Sequence, residues 1–465
     1  MPEQILFLTG KLAEKQLRQV LQEMAAEEFD WQVRELGLKV AALMTADMIK
    51  RRLTDTGDAD RILVPGRCRG DMDALSRHFG IPVERGPAEL MDLPRYFGKE
   101  GKLPELSRYD VRIFAEIVDA PHLTPDAMLE IAAQYAADGA DVIDLGCLPE
   151  TPFAHLAASV QALKAAGHQV SVDSMQPEEL LAGGRAGADF LLSLHEETLW
   201  IADEVEATPI LIPGSPGDLA SLERAMQQLE DRGRAYIADP ILDPIHFGFT
   251  DSIVRYHRLR ERHPQAEIMM GIGNLTELTE ADTTGINAVL MGMISELGIR
   301  NILTTQVSPH CRSAVREADL ARRIMYWARQ ENSLPKQIDS GLTGLHEMRP
   351  FPYTLAQIQQ LADAIRDPNF RIQVSGEGIH LFNRDGLTTH EDPFDFFPGL
   401  GVEDDGGHAF YLGVELARAQ IARQLGKRYV QDQPLCWGSA LPPVSQDMNQ
   451  YQAAGTTMKQ RRKIS

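Results

Sequence analysis

Positive charge is scarce in this chain. Its 465 residues carry 46 Lys and Arg against 67 Asp and Glu, a formal net charge of −21. Phosphate backbones need a basic surface, so nucleic acid is excluded as a general partner. Long apolar runs are missing as well. No stretch reaches the roughly 18 consecutive apolar residues of a membrane helix, so no membrane span is expected. Only four cysteines occur (Cys68, Cys147, Cys311 and Cys436), without CxxC or Cys/His ligand spacing. That argues against a structural zinc site and for reduced thiols in a cytoplasm. The N-terminus, MPEQILFLTGKLAEKQ, lacks a basic start and a long apolar core. It reads as a first strand, not a signal peptide.

What is present is ordinary globular material, 43% hydrophobic and 24% charged. The length suits two to four domains. Residues 1–108 read as an α/β domain. ILFLTG and RILVPG are strand-like, DWQVREL alternates as a half-buried strand does, and KLAEKQLRQVLQEMA and VAALMTADMIKRRL have helical period. The Gly-, Pro- and charge-rich PRYFGKEGKLPELSRYD reads as a linker. Residues 109–330 hold eight short apolar runs: RIFAEIV, DVIDLG, QVSVDS, DFLLSL, TPILIP, AYIADP, AEIMMGIGN and IRNILTTQ. Amphipathic stretches separate most of them, which is the pattern of a (β/α)8 TIM barrel. Residues 331–440 read as a small α+β domain, in which FRIQV, GIHLFN and HEDPFDFFPGL make a β-rich start. The helix YLGVELARAQIARQLG and the strand KRYVQD follow. The polar, aperiodic end, 441–465, reads as a mobile tail. The expected fold class is therefore α/β, with a central barrel between two smaller domains.

In such a barrel, chemistry sits at the C-terminal ends of the strands. Asp119 follows strand one, with His122 just beyond. Asp144 lies in strand two, Asp173 ends strand three and Ser193 lies in strand four. Asp239 follows AYI in ADPILDPIHFGFT, where Pro240 must end the strand because proline cannot donate to a ladder. Asn274 follows strand seven. An Asp at a strand end can also cap the next helix, a role open to Asp173, Asp119 and Asp126. In LTPDAM, Thr124 is the natural cap, with Pro125 at the first helical position. Asp144 and Asp239 precede no obvious helix, and Asp243 reads as a turn residue. Carboxylates converging on one mouth repel unless a cation or an array of donors lies between them. A divalent metal fits, and so does a guanidine-like heterocycle such as a pterin, whose adjacent donors one carboxylate can accept as a pair.

The pieces DVIDLG, SVDS, LLSLH, IADPILDPIHFGF and GIGNLTEL followed by IRNILTT, in this order, resemble the pterin-binding barrel family. That family holds the dihydropteroate synthases and the corrinoid-linked methyltetrahydrofolate methyltransferases. The resemblance implies that Asp239, Asp173 and Asp144 hold a pterin, with Ser193 standing where the family has Asn. It implies that Asn274 contacts the pterin as in the methyltransferases, and that Thr151 contacts pyrophosphate. The chain departs from the synthases at VDAPHLTPDAM, which lacks their mobile Gly-rich loop, and after strand seven, where their Lys is absent. His122, Lys11 and Arg312 are the cations available to pyrophosphate, and Asp119 the ligand for Mg2+. The three-part chain is similar to the dihydropteroate-synthase-like proteins associated with tetrahydromethanopterin. The implied activity joins 6-hydroxymethyl-dihydropterin pyrophosphate to an aminobenzene derivative, in a cytoplasmic homodimer. A methyl-tetrahydropterin methyltransferase and a non-catalytic pterin-binding subunit are the alternatives.

Overall fold

The computed structural model describes residues 2–24, 29–88, 90–98, 105–336, 338–347 and 349–442. The chain divides into two compact units. One is built from residues 1–103 and 345–436 together with 443–465, the other from 104–344 with 437–442.

The first unit begins with four parallel strands, β1 (Glu3–Thr9), β2 (Phe29–Glu35), β3 (Arg61–Val64) and β4 (Val83–Arg85), in the order β2-β1-β3-β4. Ile5 to Thr9 are all buried, as a central parallel strand requires. The helix Glu14–Glu23 buries Leu17, Val20 and Leu21, three and four residues apart. VAALMTADMIKRRL is not one helix. Thr45 accepts from the Met48 amide and starts a new helix, Ala46–Arg52, after a short turn at Ala41–Leu43. Part of the expected linker, 99–104, lies outside the described residues.

The second unit is the barrel. Its strands are β5 (Arg112–Ile117), β6 (Val142–Gly146), β7 (Gln169–Asp173), β8 (Phe190–Leu194), β9 (Thr208–Leu211), β10 (Ile237–Ala238), β11 (Met269–Gly271) and β12 (Asn301–Thr305). They pair in parallel in the order β10-β9-β8-β7-β6-β5-β12-β11, and a parallel bridge from Ala238 to Ile268 joins the two ends. Side chains alternate between two faces. Phe114, Val142, Phe190, Ile210, Ile237 and Met269 cluster as one apolar plug, while Ile113, Ala115, Ile143 and Val172 pack in the larger core with the helices. Two residues further along their strands, Glu116, Asp144 and Asp239 share the facing of Phe114, Val142 and Ile237. Register sets Glu116 opposite Asp144, and Asp144 opposite Ser171. A polar layer therefore sits on an apolar plug, at the C-terminal end of the ring.

The caps explain which aspartates stay free. Thr124 accepts from Ala127 and starts the helix Pro125–Ala137, as its sequence predicts. Gln176, not Asp173, occupies the N-cap of the helix Pro177–Arg185. Toward the opposite end of the strands, Arg322 is almost wholly buried. It pairs with Asp141 and Asp319, donates to the carbonyls of Val111 and Gly139, and lies 3.5 Å over the Tyr109 ring. Every edge of that guanidinium is used, as a buried cation requires.

The first unit resumes with an antiparallel meander, β13 (Arg371–Ser375), β14 (Gly378–Asn383) and β15 (Gly386–His390), followed by the helix Gly406–Leu425. Two expectations fail here. HEDPFDFFPGL forms a 3-10 turn, Pro393–Gly399, with Asp392 as its cap, because two prolines in seven residues interrupt any ladder. KRYVQD forms no strand: Tyr429 instead donates to Glu415 at 2.7 Å, tying the segment to the helix. The expected tail beyond residue 442 lies outside the described residues. Among the described residues, no helix is long and apolar enough to cross a membrane.

Candidate functional site

Glu116 of β5, Asp144 of β6 and Asp173 of β7 each bring one carboxylate oxygen within 4.8 Å of the others. Asp144 is fully buried, and among the described residues neither of its oxygens has a hydrogen-bond partner. Burial pushes its carboxyl up to about 6; the Ser171 hydroxyl opposes the shift without being aligned as a hydrogen bond. Burial likewise raises Glu116 to about 8, helped by the charges of Asp144, Asp119 and Glu277. Asp173 lies well above the usual carboxylate range through burial and the charges of Asp144, Glu116 and Asp239. Near neutral pH the free cluster retains protons, and a ligand that brings donors or positive charge displaces them. Gly146 is part of this geometry. A Cβ there would stand 2.5 Å from Glu116 Oε1, so the strand must end in glycine for that side chain to lie across it.

Asp239 is held differently. Its Oδ1 accepts from Tyr256 Oη and from the Ile241 amide, each at 2.8 Å. Tyr256 is itself fully buried. Burial lifts Asp239 to about 6, against the pull of Tyr256, Ile241 and Arg255. Its Oδ2 points toward β11, where a Cβ on Gly271 would stand 4.0 Å away. One oxygen is thus anchored while the other faces a strand position without a side chain.

The second Asp-Pro pair has a separate task. Asp243 takes Arg255 Nη2 at 2.6 Å, and Arg255 also donates to the carbonyls of Ile241 and Pro240. Asp243 is therefore an ion-pair partner as well as a loop residue. Asn274 donates from Nδ2 to the Leu242 carbonyl at 2.9 Å, fixing the same loop from the other side.

The other candidates are not members of the group of three carboxylates. Ser193 is buried where the β8 register slips between Leu192 and Leu194. Thr151 is half-buried, with Oγ1 directed at the Pro149 carbonyl. Asp119 is exposed in a left-handed conformation, outside the group of three carboxylates, and His122 and Arg312 are exposed. Lys11 belongs to the other unit. The structure thus brings together Asp144 and Asp173, adds Glu116, and sets Asp239 close enough for its charge to be felt at Asp173. Sequence reasoning missed Glu116, Tyr256 and Arg255. Period-two spacing from Phe114 could have found Glu116.

Residues 3–88 match a family of unknown function, DUF6513. An uncharacterized protein of Methanocaldococcus jannaschii, MJ0107, is 26% identical over an alignment spanning 92% of this chain and 98% of that protein. Among solved structures, the chain is similar to the dihydropteroate synthase of Yersinia pestis with a pterine-sulfa conjugate. Identity is 19% over 49% of this chain and 95% of that one, with a TM-score of 0.37. The dihydropteroate synthase of Thermus thermophilus in complex with 6HMPPP is 20% identical over 48% and 95%, with a TM-score of 0.37. That of Coxiella burnetii with pteroic acid is 17% identical over 48% and 94%, with a TM-score of 0.38. The barrel itself rests on the strand order and its closing bridge.

Proposed function

We propose that the barrel binds a reduced pterin and acts as a dihydropteroate-synthase-like transferase. It would join 6-hydroxymethyl-dihydropterin pyrophosphate to an aminobenzene derivative in tetrahydromethanopterin biosynthesis. The observation that carries this reading is Asp239. A buried carboxylate with Oδ1 anchored by two donors and Oδ2 facing a bare glycine leaves Oδ2 as a fixed acceptor for a pterin N–H or NH2 donor. Asp144 and Asp173 offer further acceptors beside it, and Ser193 and Thr151 lie on the adjoining strand and loop.

In this chemistry the exocyclic C–O bond of the pterin breaks as pyrophosphate departs. The arylamine nitrogen forms the new C–N bond and loses a proton. The acceptors orient the ring, and their negative charge favours the positive charge developing on it, so no protein nucleophile is needed. Mg2+ on the pyrophosphate would offset the leaving group's charge. The carboxylates present are all-oxygen donors, as a hard divalent cation prefers. Asn274, which with the short first loop motivates the methyltransferase alternative, donates Nδ2 to the Leu242 carbonyl.

A second reading places a divalent cation within the Glu116, Asp144 and Asp173 group itself, favoured by the unpartnered oxygens of Asp144. Full-length protein given pterin pyrophosphate and arylamines should release pyrophosphate. Pterin binding without release would favour the methyltransferase or the non-catalytic alternative.

Asp239→Asn tests the pterin contact directly. Asn can keep the Oδ1 contacts to Tyr256 and Ile241 while placing a donor where Oδ2 was. Loss of one charged hydrogen bond is worth about 1–3 kcal/mol, so calorimetry should show pterin affinity reduced roughly tenfold or more. Unchanged affinity in a folded variant would remove Asp239 from the site.

A further inference from the structure

The unit formed by residues 1–103 and 345–436 has a cavity of its own. Its parallel strands run β2-β1-β3-β4, so the strand order reverses between β1 and β3. In open parallel sheets, ligands bind outside the carboxyl ends of the strands at such a reversal. A cavity of about 340 Å3 lies there, within the usual range for small-molecule sites. Thr9 at the end of β1, Pro65 and Gly66 after β3, and Gly86 after β4 line it. Gly66 lets the last two loops meet, since a Cβ there would stand 2.4 Å from the Pro87 carbonyl.

The electrostatics of this cavity run against those of the chain. In a protein of net charge −21, no Asp or Glu lines it among the described residues, whereas Arg67 and Arg428 do. Arg428 donates Nη1 to Asp92 at 3.0 Å; its Nε and Nη2 are buried and meet no acceptor among the described residues. Those two nitrogens form the guanidinium edge that grips a carboxylate or phosphate with paired bonds. Burying such donors unmatched costs free energy, so an acceptor from outside the chain would stabilise the site. The walls around them, including Phe7, Leu12 and Leu361, are largely apolar.

We propose that this cavity binds a small organic anion, with a ring-sized apolar body against those walls and a carboxylate or phosphate on Arg428. The assignment is independent of the pterin reading. Calorimetry on the full chain with benzoate, phenyl phosphate and the neutral benzyl alcohol tests it. At least one anion should bind at millimolar concentration or tighter, and the better anion tells carboxylate from phosphate. Arg428→Lys keeps a cation beside Asp92 but loses the paired edge, and should weaken that binding roughly tenfold. Leu12→Trp, which fills the cavity, should abolish it, and Asp239→Asn should leave it unchanged. Absence of anion binding, equal binding of benzyl alcohol, persistence in both cavity variants, or loss in Asp239→Asn would each overturn the proposal.

Discussion

Asp144→Asn should stabilise the free protein near pH 8 by about 2–3 kcal/mol. In an unfolded chain this carboxyl ionises near pH 4, whereas in the barrel it holds its proton to about pH 6. Between those values the folded state binds more protons than the unfolded one, so stability falls as pH rises. The loss from Asp144 is complete above about pH 6, and Glu116 carries the same slope on to about pH 8. Asn removes the buried charge and gives its unpartnered position an amide that can donate to Glu116 or Asp173. Melting in EDTA should therefore show the variant roughly 5 °C or more above the parent near pH 8, with the gap closing toward pH 4. The same variant should bind pterin more weakly. A site that stabilises the fold when emptied of charge is maintained for its ligand. A melting temperature at or below the parent's near pH 8 would mean that Asp144 is compensated by its surroundings.

The barrel was legible because its strands are buried on both faces and so read as continuous apolar runs between amphipathic helices. Even β10, only two residues long, was marked by AYI and the proline that ends it. What escaped were elements set by tertiary context. β15, GLTTH, is mostly polar and partly exposed, and it pairs only because β14 lies beside it. KRYVQD has the composition of a strand, but the bond from Tyr429 to Glu415 holds it elsewhere.

The same division holds at the site. Asp144, Asp173 and Asp239 could be named because each adjoins an apolar run at the mouth. Glu116 is hidden in the sequence because it lies inside the apolar run RIFAEIV, whereas Asp119 stands at its end. Alternation from Phe114 turns Glu116 inward, whereas Asp119 lies past the strand in an exposed turn. Tyr256 and Arg255 carry no local signal. They sit mid-helix, and only the folding of that helix against the loop after β10 brings them to Asp239 and Asp243.

Pterin pyrophosphate should bind on the order of a hundredfold more tightly with Mg2+ than with EDTA, whereas the pterin without pyrophosphate should bind equally well in both. The mouth holds four acidic side chains in Glu116, Asp144, Asp173 and Asp239, and Arg255 beside it is already paired with Asp243. A pyrophosphate brought close to those groups in a partly desolvated site meets strong repulsion that only a cation relieves. The pterin ring alone carries no such charge, and its donors suit the carboxylates once their protons are displaced. The comparison also separates the two readings of the carboxylate group. A cation resident among Glu116, Asp144 and Asp173 would make binding of the bare pterin depend on Mg2+ as well, either by completing its site or by competing for Asp173. Equal affinity of pterin pyrophosphate in Mg2+ and EDTA, with no pyrophosphate released on adding an arylamine, would reject the synthase reading and leave the barrel as a pterin-binding or methyl-transferring module.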